Sequence, residues 1–230
     1  MIELFPEGFE EVDVSRGVEL VAYTDAAGEE RIWQVFAGAH ATDVEDGWGD
    51  RWRTFHRPVR VGRLWVGPPW EAPPDDALAI VIDPGRAFGT GAHPTTRLCL
   101  ELLQETDPGS VLDVGCGSGV LSVAAALLGH GPVLAVDIEQ ASIEATLENA
   151  ARNGVDVDAR LVGASDRLPR AALAVANISI DAVDALPSRL DVATILTSGY
   201  LVSEQPELRG FAHVARREAE GWAADLHRAN

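Results

Sequence analysis

From about residue 78 onward, short apolar runs alternate with longer stretches that are apolar on one face or rich in alanine. Short apolar runs bounded by glycine or polar residues are typical of buried strands, whereas longer runs with a period of about 3.6 residues are typical of helices. Residues 213–228 show patches that predict a closing hairpin with Trp222 pointing inward. The other predicted strands are 78–82, 111–114, 132–136, 155–162, 173–176 and 193–199, and the predicted helices are 94–106, 120–128, 140–153 and 181–186.

Strands and helices that alternate along a chain form a mostly parallel sheet with helices on both faces. We therefore predict an α/β fold, a Rossmann-like seven-stranded and mostly parallel sheet, joined to a small α+β domain at the N-terminus.

The first part of the chain has a different pattern. Short candidate strands separated by turn formers predict the small α+β domain over residues 1–47. Residues 48–72 hold four of the six tryptophans, interleaved with arginines and prolines, which predicts a linker whose tryptophans pack between two domains. A nucleic-acid or protein-binding surface is the alternative interpretation of that segment. The α/β domain then spans residues 73–230.

The segment from Val111 to Asp137 organises the predicted α/β domain. It reads as strand, glycine turn, helix, glycine stop and second strand, with Asp137 at the carboxyl end. Glycines in the turn, at Gly115, Gly117 and Gly119, allow positive φ and a close approach of the backbone to a ligand. An acidic residue at this separation is typical of a carboxylate that binds a ribose in a nucleotide-binding unit. A purely structural turn in another doubly wound protein is the alternative.

The glycine pattern also bears on which nucleotide is bound. Val120 stands where the dinucleotide fingerprint G-x-G-x-x-G needs a glycine. The pattern present, D-x-G-x-G-x-G from Asp113 to Gly119, resembles the first motif of class I S-adenosylmethionine-dependent methyltransferases. By this resemblance, Asp113 can face the ammonium group of the cofactor. Ala164 follows the predicted strand 155–162 at the sheet edge where an adenine ring is expected.

Two further segments suggest chemistry at the same edge. The stretch 86–96 is rich in glycine and hydroxyl groups and contains Phe88, which predicts a cofactor lid rather than an ordinary surface loop. Asn177 follows the strand 173–176, and a polar residue at the carboxyl end of a central strand lies beside the ligand crevice. Its carbonyl can hold a neutral amine in line for methyl transfer without adding charge. The alternative role of Asn177 is to cap the next helix.

Composition and charge narrow the functional classes. A formal charge of −18 and a pI near 4.6 argue against a general nucleic-acid binder. They are compatible with a basic protein or amine substrate, or simply with solubility. All eighteen basic residues are arginine, so no lysine nucleophile is available. Nucleobase methylation is disfavoured because the run 177–180 lacks the prolines and aromatic residue of adenine- and cytosine-amino methyltransferases.

Neither a metal site nor an export signal is predicted. The two cysteines, Cys99 and Cys116, have no metal or disulfide spacing, and His93 lacks ligand partners. The first residues do not resemble a signal peptide, and no apolar run approaches the roughly 20 residues that cross a bilayer. We expect a cytoplasmic protein without a membrane partner.

Three stretches together resemble one family: DPGRAFGTGAHPTTRLCLELL at 83–103, VLDVGCGSGVLSVAAALLG at 111–129 and VANISIDAV at 175–183. They are similar to the bacterial methyltransferase of large-subunit ribosomal protein eleven, and the resemblance covers about residues 48–230. It implies S-adenosylmethionine as cofactor and methylation of lysine side chains and the N-terminal amine of that ribosomal protein. The implied cofactor contacts are Thr96, Gly115, Asp137 and Asn177, with Asn177 also near the substrate amine, and Phe88, Gly91 and Gly117 lining the same pocket.

The chain departs from this family at two places. Ala92 stands where family members carry His or Thr. The family has an N-terminal ferredoxin-like domain that docks the ribosomal substrate, and residues 1–47 are expected to lack its opening strand and helix. Two alternatives therefore remain: methyl transfer to another protein or a small amine, and a binding module that holds the cofactor without catalysis.

Overall fold

The structure is a computed structural model that describes residues 57–83 and 91–230, together with the backbone of two strands near the N-terminus. The chain divides into two units, 1–52 and 53–230. In the first unit, β1 (Glu10–Val14) and β2 (Gly17–Val21) form an antiparallel pair. The rest of the predicted domain 1–47 lies outside the described residues, so its ferredoxin-like character stays a prediction.

A three-stranded sheet begins the described part of the second unit. β3 (Val59–Val61) is antiparallel to β4 (Leu64–Gly67), and β4 is parallel to β5 (Leu78–Val81). The predicted linker 48–72 needs correction for its described part, because β3 and β4 belong to this sheet. Their apolar side chains, among them Val66, are buried in the same core as the α/β sheet. Residues 48–56, with Trp48 and Trp52, lie outside the described residues.

Seven strands from the described range 91–230 form the main sheet. Their spatial order is β11 (Phe211–Ala219), β12 (Trp222–Ala229), β10 (Val192–Leu201), β9 (Ala171–Asn177), β6 (Val111–Val114), β7 (Val133–Asp137) and β8 (Asp158–Leu161). Neighbours run parallel except that β12 is antiparallel to both β10 and β11. The predicted seven-stranded, mostly parallel sheet is confirmed, and so is its closing hairpin.

Helices cover both faces of this sheet, as predicted. In the described part of the chain they are α1 (Pro94–Leu103), α2 (Val120–Leu127), α3 (Gln140–Arg152) and α4 (Ile180–Ala185), with a 3-10 turn at Leu186–Ser188. Residues of α1, α2 and α3 share one core cluster with Leu173 and Val175 of β9, whereas Ala174 faces a cluster that contains Val183 of α4. This division follows from the two-residue period of a strand. None of the helices within the described residues is long and apolar enough to cross a membrane.

Candidate functional site

The residues predicted to carry function meet where the parallel strands end. Gly115 follows β6, Asp137 ends β7 and Asn177 ends β9, and these three strands are neighbours in the sheet. We call this side of the sheet, formed by the last residues of β6 to β10, the carboxyl edge. Ligands of open α/β sheets bind in the crevice outside this edge.

The glycine turn after β6 requires glycine for conformational and steric reasons. Gly115, Gly117 and Gly119 have φ values of 74°, 53° and 78°, a region that other residues rarely adopt. A Cβ on Gly115 would lie 2.4 Å from Cγ2 of Ile178, and one on Gly119 would lie 2.9 Å from Cα of Thr146. The turn therefore packs closely against Ile178, just after β9, and against α3.

Asp137 is held by the backbone on both of its oxygens. Oδ2 accepts a hydrogen bond from Gly117 N at 3.1 Å, and Oδ1 accepts one from Glu139 N at 3.0 Å. The residue is 9% exposed, so this carboxylate at the carboxyl edge is largely buried. Each carboxylate oxygen has two acceptor positions, so both retain the capacity to accept a hydroxyl from a ligand.

An exposed apolar surface adjoins Asp137. Ile138 is 63% exposed, and Leu161, the partner of Asp137 in the β7–β8 register, is 54% exposed. Ala164 is also exposed, in the turn that follows β8. The place of Ala164 near an adenine ring stays a prediction. Ile138 was not singled out from the sequence, although it is an apolar residue directly after Asp137.

Asp113 lies beneath the turn rather than at the open edge. It is 1% exposed, and its Oδ2 accepts a hydrogen bond from Ser122 Oγ of α2 at 2.6 Å. Burial raises the pKa of this carboxyl to about 6, although its hydrogen bonds with Ser122 act in the opposite direction. In this structure Asp113 joins β6 to α2, and its contact with the ammonium group of a cofactor stays a prediction. Ser122, a polar residue in an otherwise apolar helix, was missed.

Asn177 is joined to Thr96 across the carboxyl edge. Nδ2 of Asn177 donates to Oγ1 of Thr96 at 3.3 Å, and Thr96 is almost fully buried in the first turn of α1. That turn begins at the N-cap residue His93, whose Nδ1 accepts from Thr95 N. The alternative that Asn177 caps the next helix does not hold, because the N-cap of α4 is Ser179.

The residue after Asn177 is enclosed by two glycines. Ile178 contacts the glycine turn at Gly115, and its N–H donates to Ser198 O at 3.1 Å. Gly199 has a φ of 104°, and a Cβ there would lie 2.0 Å from the carbonyl oxygen of Ile178. The exit of β9 is thus fixed from both sides. Sequence reasoning placed Gly199 only at the end of a strand and missed this contact.

An aromatic pair lies on the α1 side of the edge. The rings of His93 and Trp222 meet edge to face with centroids 4.9 Å apart. Trp222 starts β12 and packs against the core, as predicted, and Glu220 in the preceding turn pairs with Arg97 of α1. The hairpin tip is therefore attached to the same helix turn that carries Thr96.

Of the predicted lid, residues 86–96, the structure describes only the part from Gly91 onward. Gly91 has a φ of 88°, and a Cβ there would lie 2.4 Å from Cγ1 of Val66. Phe88 lies outside the described residues, so its place in the pocket stays a prediction.

Other features of the described residues do not form part of this edge. A shallow depression of about 340 Å³, lined by residues such as Ser110, Arg170 and Asp191, lies at the opposite edge, where the strands begin. Within the described residues, no group of three or more His, Cys, Asp or Glu side chains is arranged to hold a metal ion. Burial raises the pKa of the Cys116 thiol to about 12, which favours the neutral thiol over the thiolate.

The strand order, with one antiparallel strand next to the sheet edge, and the arrangement of glycine turn and Asp137 define the class I methyltransferase fold. A solved structure of the ribosomal protein L11 methylase from Lactobacillus delbrueckii subsp. bulgaricus matches this chain with a TM-score of 0.67 and 32% identity. The match covers 76% of this chain and 100% of that structure.

A family model described as ribosomal protein L11 methyltransferase (PrmA) matches residues 11–227, and the chain belongs to this family. It is 42% identical over 201 residues to the ribosomal protein L11 methyltransferase of Symbiobacterium thermophilum, covering 79% of this chain and 66% of that protein. The corresponding protein of Legionella pneumophila is 39% identical over 195 residues, covering 78% and 68%. The chain therefore spans about two thirds of the length of these relatives. The resemblance found in the sequence is confirmed.

Proposed function

We propose that this chain is an S-adenosylmethionine-dependent protein N-methyltransferase. Its proposed acceptors are amino groups of large-subunit ribosomal protein L11, namely lysine side chains and the N-terminal amine. The observation that carries the chemistry is the bond from Asn177 Nδ2 to Thr96 Oγ1, because it orients a neutral amide at the carboxyl edge. The substrate comes from the names of the relatives, which are ribosomal protein L11 methyltransferases.

The residues at the edge fit the cofactor that the family and fold imply. A ribose offers two hydroxyl donors, and Asp137 presents two carboxylate oxygens that the backbone already orients. An adenine ring offers a flat apolar face, and Ile138 presents an exposed apolar side chain next to Asp137. The glycine turn, with Gly115 and Gly117 at positive φ, lets the backbone approach the amino-acid part of the ligand without a Cβ. S-adenosylmethionine, when bound, supplies the methyl group that passes from its sulfur to the acceptor nitrogen.

In this proposal Asn177 positions the acceptor amine. With Nδ2 donating to Thr96, Oδ1 is the amide atom that accepts an N–H from the amine and aims its lone pair. Correct positioning alone supplies a large part of the rate enhancement of such a displacement. The acceptor amine must lose its proton to water before transfer. An N-terminal amine, which titrates near pH 8, does so readily, whereas a lysine amine, which titrates near 10.4, is neutral in only a small fraction of molecules at pH 7.

The part of the carboxyl edge next to α1, where Asn177 would hold the acceptor amine, suits an amine on a basic protein. The aromatic pair His93 and Trp222 lies next to the helix turn that carries Thr96, and aromatic faces attract ammonium groups. The net charge of −18 favours the approach of a basic partner over long distances. A ribosomal protein substrate would place the reaction in the cytoplasm.

The test combines cofactor binding with methyl transfer. Calorimetric titration with S-adenosylmethionine is expected to give one site, and Asp137→Ala is expected to abolish it. Radiolabelled S-adenosylmethionine is then expected to label purified ribosomal protein L11, whereas Asn177→Ala binds the cofactor but transfers slowly. If the chain binds the cofactor but the ribosomal protein stays unlabelled, the proposed substrate is wrong. Failure to bind the cofactor would make the whole proposal wrong.

A further inference from the structure

Three polar side chains along one face of α3 bond to main-chain atoms of neighbouring segments. They are Thr146, Asn149 and the C-cap residue Asn153, spaced so that they share one side of the helix. Thr146 Oγ1 donates to Gly117 O at 3.1 Å, and Asn149 Nδ2 donates to Ser118 O at 2.9 Å. Two successive carbonyl groups of the glycine turn are therefore held by α3.

Asn149 makes a second bond that ties the turn to another element. Its Oδ1 accepts from Asp83 N at 3.2 Å, just beyond the end of β5. The side chain is buried, since the residue is only 2% exposed. One buried amide thus bridges the glycine turn and the segment that follows the small sheet. A polar group buried at such a point is costly unless both of its ends are bonded, as they are here.

The geometry of the turn explains why such a support is needed. Ser118 stands between Gly117 and Gly119, both at positive φ. Glycine has more backbone freedom than any other residue, so the conformation on either side of Ser118 is set by contacts with neighbouring segments rather than by the backbone's own preference. A binding site that must be ordered by its ligand loses affinity for that reason, whereas a pre-ordered site does not.

We infer that Asn149 is a positioning residue for the cofactor site, which holds the glycine turn in its ligand-binding conformation without contacting the ligand. This inference rests on the proposed function, because it assigns the turn to S-adenosylmethionine. It adds a residue from α3, 31 positions away from Ser118 in the chain, to the set that determines cofactor affinity.

Asn153, the C-cap residue of the same helix, provides a matched control. Its Oδ1 accepts from Val81 N at 2.7 Å, and its Nδ2 donates to Val81 O at 2.8 Å. It therefore anchors the end of α3 to β5 through the same kind of amide, and its side-chain hydrogen bonds are with Val81 and Asn149 O rather than with the turn. Loss of Asn153 loosens the helix–strand contact but leaves both carbonyl supports of the turn in place.

The experiment measures binding of S-adenosylhomocysteine, the demethylated product, by calorimetry, together with thermal unfolding, for Asn149→Ala, Asn149→Asp and Asn153→Ala. Asn149→Asp is nearly isosteric and keeps an acceptor for Asp83 N but loses the donor to Ser118 O. We expect the two Asn149 variants to bind about tenfold more weakly, the loss typical of one buried hydrogen bond. Asn153→Ala is expected to bind within about twofold of the unaltered chain, although its unfolding midpoint also falls.

Each result decides between the two roles of Asn149. Unchanged affinity in a folded Asn149→Asp protein would overturn the inference. An equal loss of affinity in Asn153→Ala would also overturn it, since the effect would then come from general loosening of α3. If the unaltered chain fails to bind S-adenosylhomocysteine, the proposed function itself is wrong and the inference falls with it.

Discussion

The side-chain amide of Asn177 donates to the hydroxyl of Thr96 at 3.3 Å, joining residues 81 positions apart in the chain. One residue ends the central strand β9, and the other lies in the first turn of α1. The bond therefore fixes the orientation of a neutral amide at the point where the carboxyl edge meets the helix. For the proposed methyl transfer, Thr96 matters because it decides which amide atom faces the acceptor.

Replacing Thr96 with valine tests this relationship. Valine has nearly the same shape but cannot accept the hydrogen bond, so the Asn177 amide is free to rotate. We expect kcat for methylation to fall about tenfold, while the affinity for S-adenosylhomocysteine falls much less. Steady-state rates and calorimetry measure the two quantities separately. The control is Thr106→Val, a threonine beyond the other end of α1 whose hydroxyl bonds to Leu103 O. A kcat unchanged in Thr96→Val would contradict the assigned role.

Asp113 is expected to make stability depend on pH. Its pKa is raised by burial to about 6 in the folded chain, against a reference value of 3.8. Between these two values the folded state binds a proton that the unfolded state has released. The contribution of Asp113 to the unfolding free energy therefore falls as pH rises through this window, and the loss is complete above about pH 6.

The variant Asp113→Asn checks the size and sign of that contribution. Asparagine can still accept from Ser122 but carries no charge to bury. We expect it to be more stable than the unaltered chain by about 1 to 3 kcal/mol near pH 8. The gain should shrink toward zero as pH falls to about 4, where the unaltered carboxyl is also protonated. Urea unfolding of both proteins across this range measures it, with the exposed Asp158→Asn as control. A gain that does not vary with pH would contradict the assignment.

Alanine substitutions at two glycines with positive φ distinguish the free-energy cost of an unfavourable backbone conformation from that of a steric clash. Gly129 has a φ of 91°, and a Cβ there would meet no heavy atom within 4 Å. Gly199 has a φ of 104°, and its Cβ would lie 2.0 Å from the Ile178 carbonyl oxygen. We expect Gly129→Ala to lower the unfolding free energy by about 1 kcal/mol, the cost of the backbone conformation alone.

Gly199→Ala should cost about 3 kcal/mol or more, because the backbone of β9 next to Asn177 must also shift. The methylation rate of Gly199→Ala should also fall, even at temperatures where the variant stays folded. Chemical unfolding and activity assays of the two variants side by side give the comparison. Equal destabilisation by both substitutions would show that β9 can move away from Gly199 freely.

The features that sequence reasoning found and those it missed differ in the range of their contacts. The positions of Asp137 and Asn177 at the carboxyl edge were predicted correctly because each ends an apolar strand, which is a local pattern. Asn149 was missed because its bonds to Ser118 and Asp83 span 31 and 66 positions, and no local period reports them.

Long-range contacts also explain why the predicted linker 48–72 needs correction in its described part, residues 57–72. Tryptophan, arginine and proline suggest an irregular linker, yet β4 within it, Leu64–Gly67, is buried along its whole length. Strand pairing with β5 decides that outcome, and tertiary context of this kind overrides composition. Family resemblance predicts cofactor contacts without that context, since its motifs lie at the strand ends, and these contacts stay predictions.

Ile138 offers the sharpest test of where the adenine lies. The side chain is 63% exposed, so replacing it with serine removes little buried surface and should leave the unfolding midpoint nearly unchanged. If Ile138 covers one face of the adenine, the serine variant loses the apolar surface that the ligand buries. Its affinity for S-adenosylhomocysteine should then fall about tenfold. Leu147→Ser is the matched control, because Leu147 is also exposed, at 44%, but lies on α3 rather than beside Asp137. Calorimetry on both variants distinguishes a ligand contact from a general effect of removing surface apolar groups. Equal affinities in the two variants would mean that the adenine lies elsewhere along the carboxyl edge, with Ala164 and Leu161 as the next residues to replace.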